Sequence, residues 1–113
     1  MQQPEMLPVG SSQVIVVLAN DPTEDTVICL AGEHDMSSVE QLSQAIAAAV
    51  DAGRSDLIFD LSRVEFMDST IINQLARACT RLGPDGRMAR VRDPSPPARC
   101  VLEICGLAHL VES

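Results

Sequence analysis

The chain has 113 residues, 46% apolar and 21% charged, which suits one domain around one core and disfavours both two domains and wholesale disorder. Aromatic residues are confined to Phe59 and Phe66, with no Trp or Tyr, which argues against stacking platforms for single-stranded nucleic acid. A net charge of −8 repels phosphate backbones and anionic lipid, so direct nucleic-acid binding and membrane insertion are disfavoured and a basic protein partner fits better.

Residues 1–12 carry Gln, Pro, Gly and Ser and read as a flexible N-terminal leader without the cationic stretch of a secretory signal. Residues 13–113 read as a single domain. Residues 13–19 (QVIVVLA) are β-branched and short, as a strand requires. The polar turn at 20–25 (NDPTED) and the apolar run at 26–32 (TVICLAG) predict a second strand in an antiparallel hairpin with the first. Ser37 and Glu40 have capping-box spacing ahead of Val39, Leu42, Ile46 and Val50, a helical stripe ended by Gly53. Residues 56–61 (DLIFDL) form a buried strand, and 64–67 carry the apolar segment on to Asp68. Ser69 or Thr70 caps the next helix, which runs to about Leu82 with Ile71, Ile72, Leu75, Ala76, Cys79 and Leu82 on its apolar face. Residues 88–91 are a short fourth strand, Pro94-Ser95-Pro96-Pro97 a helix entrance, 98–105 a third helix ended by Gly106, and 107–111 a closing apolar segment.

The order β-β-α-β-α-β-α predicts an α/β fold: a mixed sheet of four to five strands with about three to four helices. One sheet face is left without obvious helical cover, open to solvent or to a partner. The apolar runs are too short to span a bilayer, and the chain reads as cytoplasmic. Residues 1–53 hold eight acids and no Arg or Lys, whereas 54–113 hold eight acids and all eight Arg. Arg77, Arg81, Arg87, Arg90 and Arg92 read as a solvated face and ion-pair partners rather than a nucleic-acid stripe. Cys29, Cys79, Cys100 and Cys105 show no metal-type spacing, and no metal or cofactor is expected. Cys29 and Cys79 read as small hydrophobes; of the four, only Cys100, beside Arg99, has the setting of a redox switch. His109, among Leu107, Leu110 and Val111, reads as a partly buried packing residue.

The informative stretch is Asp60-Leu61-Ser62 followed by Val64 and Phe66-Met67-Asp68-Ser69-Thr70. It places a hydroxyl at a helix start after a buried strand. Two readings are open: a simple N-cap, or a phosphoacceptor whose phosphate is tolerated by the helix N-terminus while adding roughly −1.5 to −2 charge beside Asp68 and Glu65. Asp35 joins the same patch if both strand ends open on one edge.

These residues resemble the signature of STAS domains of anti-sigma factor antagonists (anti-anti-sigma factors). Leu30-Ala31-Gly32-Glu33-His34-Asp35 is similar to the family's second motif, and Pro94-Ser95-Pro96, Val101-Leu102 and Cys105-Gly106-Leu107 to its C-terminal helix. The resemblance runs from about Gln13 onward. It implies a non-enzymatic regulator of transcription that binds an anti-sigma factor with Ser/Thr kinase activity and so releases a sigma factor. Phosphorylation breaks that complex and a phosphatase restores it. Carried over by position, Ser69 is the phosphoacceptor, with Asp35, Asp68, Ser69 and Thr70 on the partner-binding surface. The alternative within the fold is a non-phosphorylated STAS scaffold subunit of a signalling or lipid-transport assembly. Two positions depart from the pattern. Ile71-Ile72 replace the usual Gly-Leu, and helical spacing predicts that Ile71 is buried with Leu75. His34 replaces an apolar residue, which implies a more polar loop. A serine hydrolase built from Ser69, His34 and Asp35 is the remote alternative; no G-x-S-x-G surrounds the serine.

Overall fold

The computed structural model of the chain describes residues 12–17, 24–52 and 55–112. Four strands, β1 (Gln13–Val17), β2 (Thr26–His34), β3 (Leu57–Met67) and β4 (Ala89–Arg92), lie in one sheet in chain order. β1 runs antiparallel to β2, while β2, β3 and β4 are mutually parallel. Three α-helices, α1 (Val39–Ala52), α2 (Ser69–Leu82) and α3 (Pro96–Ile104), complete the predicted α/β fold. Beyond these strands, Val111 makes a single parallel bridge to Val91. Residues 1–11 of the leader, turn residues 20–23 and the helix-ending Gly53 lie outside the described residues.

The alternation along β2 sorts the two faces. Thr26, Ile28, Leu30, Gly32 and His34 are buried, and Val27, Cys29, Ala31 and Glu33 between them are not. Leu42, Ile46 and Ala49 from α1, Ile71, Leu75, Ala78 and Leu82 from α2, and Ala98 and Leu102 from α3 join Ile28, Leu30, Leu57, Phe59 and Leu61 in one core. The opposite face has the open character the element order predicted. A cross-strand row of Ile15, Cys29, Asp60 and Arg92 crosses it, and Ile15 is 45% exposed.

β3 is one strand of 11 residues rather than a strand and a trailing segment. Its pairing with β2 slips twice: Cys29 faces Asp60 but Ala31 faces Arg63, and Gly32 faces Val64 but Glu33 faces Phe66. Each slip admits one extra residue into β3 and breaks the two-residue period by which a strand is recognised. β2 is longer than predicted by two residues because the parallel ladder continues to the His34–Met67 pair.

The helix starts differ from the sequence reading in a consistent way. Asp35, not Ser37, caps the first: it begins a 3₁₀ turn over Met36–Ser38 that leads into α1. Asp68, not Ser69 or Thr70, caps α2, which makes Ser69 the first helical residue. A carboxylate with two acceptor oxygens outcompetes the neighbouring hydroxyl for the free N–H groups and accepts from that hydroxyl as well. Ser95 caps α3, accepting from the Ala98 N–H at 3.3 Å and donating to the Val64 carbonyl at 2.6 Å, so the helix starts at Pro96, two residues early. His109 is exposed rather than packed.

At the N-terminal ends of the parallel strands, Arg90 lies 3.0 Å from Asp25 and 3.3 Å from Asp56. Asp25 accepts from the Asp56 N–H and Asp56 from the Met88 N–H. Arg87 donates to the carbonyls of Ser55 and Val50, and Arg92 lies 3.7 Å from Glu112. The expectation of ion-paired arginines holds for Arg90 and Arg92.

Candidate functional site

Parallel pairing brings the C-terminal ends of β2 and β3 side by side: His34 faces Met67, and the next residues are Asp35 and Asp68. In open α/β sheets ligands bind outside the carboxyl ends of the strands, where helices begin. The two aspartates are used alike. Asp35 Oδ1 accepts from the Ser37 N–H at 2.9 Å and the Ser37 hydroxyl at 2.6 Å. Those bonds hold its carboxyl below the usual carboxylate range, so it is ionised near neutrality. Asp68 Oδ1 accepts from the Thr70 N–H at 3.0 Å and from the Thr70 hydroxyl.

Of the two adjacent hydroxyls, Thr70 is thus committed to Asp68, while Ser69 is exposed and has no hydrogen-bond partner among the described residues. The helix beneath is anchored: Ile71 is fully buried and Ile72 nearly so, as spacing with Leu75 predicted. All four predicted surface residues, Asp35, Asp68, Ser69 and Thr70, therefore sit at one edge.

His34 corrects the expectation of a more polar loop. Its ring is fully buried at the end of β2, and Nε2–H donates to the Ala31 carbonyl at 2.9 Å. Burial holds its pKa below the ordinary histidine value, which keeps the ring neutral. No hydrogen bond joins His34 to Ser69 among the described residues, so the hydrolase arrangement is not assembled. Nor do the described residues contain a group of three metal-ligating side chains. Cys29 and Cys79 are half-buried free thiols pushed up by burial, and Cys100 and Cys105 are exposed and free.

Two residues escaped the sequence reading. Met36 is 73% exposed in the 3₁₀ turn, and Phe66 is 48% exposed at the end of β3. Phe66 was counted with the apolar run of its strand; the second slip in register, at Glu65, turns it outward opposite Glu33. The signal for Met36 was its isolation in a polar stretch. Exposed Glu33, Asp35 and Glu65 and half-buried Asp68 share this edge with them, with no Arg or Lys in 33–38 or 65–70. A phosphate on Ser69 would sit at the N-terminus of α2, which favours an anion, and would add charge to an already acidic patch.

A family model described as Mlab, STAS domain matches residues 18–112. An anti-sigma F factor antagonist of Lysinibacillus sphaericus is 33% identical over 85 residues, covering 74% of this chain and 73% of that protein. Among solved structures, an anti-sigma factor antagonist from Mycobacterium paratuberculosis superposes with a TM-score of 0.75 at 30% identity, covering 92% of this chain and 86% of that one. The anti-sigma factor antagonist SpoIIAA in its unphosphorylated form gives 0.74 at 26% identity, covering 90% and 86%. With its parallel strand ends, capped helix starts and near-complete coverage by that model, the chain belongs to the STAS-domain family and is a homologue of anti-sigma factor antagonists.

Proposed function

We propose that the protein is a cytoplasmic, non-enzymatic anti-sigma factor antagonist switched by phosphorylation of Ser69. In its unphosphorylated form it binds an anti-sigma factor with Ser/Thr kinase activity through the edge formed by Asp35, Asp68, Ser69 and Thr70, and so releases a sigma factor. A phosphatase resets it. The observation that carries this reading is the division of labour between the paired hydroxyls. Asp68 engages Thr70 and leaves Ser69 free and exposed at the first position of α2. Phosphorylation there leaves the cap intact and changes the surface charge, which is what a switch of binding without unfolding requires.

The test is incubation with the cognate kinase and ATP followed by mass spectrometry. Label is expected on Ser69, absent from Ser69→Ala, with partner binding retained by Ser69→Ala and weakened by Ser69→Glu. Equal labelling of Ser69→Ala overturns the assignment and directs attention to Thr70. The family model that matches is described by its STAS domain and not by a phosphorylation switch, which leaves a second reading as a non-phosphorylated STAS scaffold subunit of a signalling or lipid-transport assembly. Under that reading no kinase labels the edge, and Ser69→Glu leaves partner binding unchanged.

A further inference from the structure

A small cavity of about 120 Å³ lies between α1 and α2, apart from the Ser69 edge, lined by Ser43, Ile46, Gln74, Arg77, Ala78 and Arg81. The spacing of Gln74, Arg77, Ala78 and Arg81 puts them on one stripe of α2 facing α1. Ile46 and Ala78 are buried and form the floor, while Ser43, Arg77 and Arg81 are exposed and form the rim. Gln74 is the unusual member. It is 8% exposed, yet its amide has no hydrogen-bond partner among the described residues. Its side-chain nitrogen and oxygen are not enclosed, so they stay open to water or to a ligand in the cavity that the residue lines. Arg77 and Arg81 likewise make no ion pair among the described residues, in a chain of net charge −8 where Arg90 and Arg92 have acidic partners.

The lining therefore offers two guanidinium forks, an amide and a hydroxyl, with no carboxylate; Glu40 and Asp51 of α1 are exposed but do not line the cavity. That donor set matches a compact oxyanion, since guanidinium groups bind phosphate oxygens in pairs and Gln74 supplies a further N–H from the wall. We infer that this groove binds a phosphate group, as inorganic phosphate or as the monoester of a small metabolite, held by Arg77 and Arg81 with Gln74 and Ser43 completing its shell. The site is independent of the phosphorylation switch.

The test is titration of the whole chain with sodium phosphate at ionic strength held constant with sodium chloride, followed by NMR of the Gln74 amide and the Arg77 and Arg81 Nε–H groups. Saturable shifts confined to these groups are expected. Combining Arg77→Gln with Arg81→Gln should weaken binding by about tenfold or more. Gln74→Leu, of similar volume, should weaken binding while the protein stays folded, because an apolar side chain still fills the position but offers no N–H. Ser69→Glu should leave the titration unchanged. A parallel titration with glycerol phosphate separates the sources: tighter binding assigns the monoester, and no gain assigns inorganic phosphate. Linear shifts equal to those in chloride, or unaltered binding by the folded double arginine variant, would overturn the proposal.

Discussion

The two ends of the parallel strands use the same residue type in opposite ways. At the N-terminal end Asp25 and Asp56 share Arg90 and accept from backbone N–H groups across strand boundaries, so their charge is matched within the chain. At the C-terminal end Asp35 and Asp68 each cap a helix start, but among the described residues no Arg forms an ion pair with them or with Glu33 and Glu65. Exposed Met36 and Phe66 stand among these acids. Charge balanced in place ties strands together; charge left unbalanced beside exposed apolar surface is what a partner with basic and apolar groups can use. One end has its charge matched within the chain, and the other is the end we propose for recognition.

The comparison fails if the recognition end is not rigidly supported from below, and the largest expected effect tests that support. Ile71→Gly removes a fully buried side chain at the start of α2. Urea unfolding should show a loss of about 2–4 kcal/mol, from helix propensity and lost burial together. An unchanged midpoint would mean that the helix start is held by its cap alone.

A smaller loss is expected at the opposite end. Arg90→Leu leaves Asp25 and Asp56 without their shared cation and should cost roughly 1–2 kcal/mol, moderated by the partial exposure of all three groups. A variant as stable as the parent at pH 7 would remove the claim that this end is a charge-balanced tie.

The third expectation separates cap from switch. Asp68→Ala should cost about 1 kcal/mol, whereas Ser69→Ala should stay within about 0.5 kcal/mol because Ser69 is not the cap. Equal losses in thermal unfolding would return the capping role to Ser69.

The pH dependence gives the most gradual effect. The folded pKa of His34 lies below its unfolded value of 6.5 because burial disfavours the charged ring. The unfolded chain therefore binds the proton first. The stability this neutral burial contributes is present above about pH 6.5 and is lost as pH falls through that value toward the folded pKa. Denaturant midpoints of the wild type should drop between pH 7.5 and 5.5, and His34→Gln should flatten that slope. An identical slope in the variant would assign the dependence elsewhere.

Hydrophobic periodicity determined the elements and their order: the stripe of Val39, Leu42, Ile46 and Val50, the face of Ile71, Leu75 and Leu82, and the short β-branched strands are local patterns that hold in any compact arrangement. The residues around Asp68-Ser69-Thr70 marked the candidate site for the same reason, since helix-start chemistry lies within a few neighbouring residues. Only the tertiary structure decided that Asp35 stands beside Asp68, because parallel pairing of β2 and β3 joins residues far apart in the chain. It also decided which side chain caps each helix, as backbone geometry resolves the competition between a carboxylate and an adjacent hydroxyl. The two slips in β3, which turn Phe66 outward and divide the strand into two apparent runs, depend on its ladder with β2 and leave no periodic trace in the chain. The burial of His34 and the unpaired amide of Gln74 follow from packing against distant elements, which is where local sequence stops specifying the environment of a polar group.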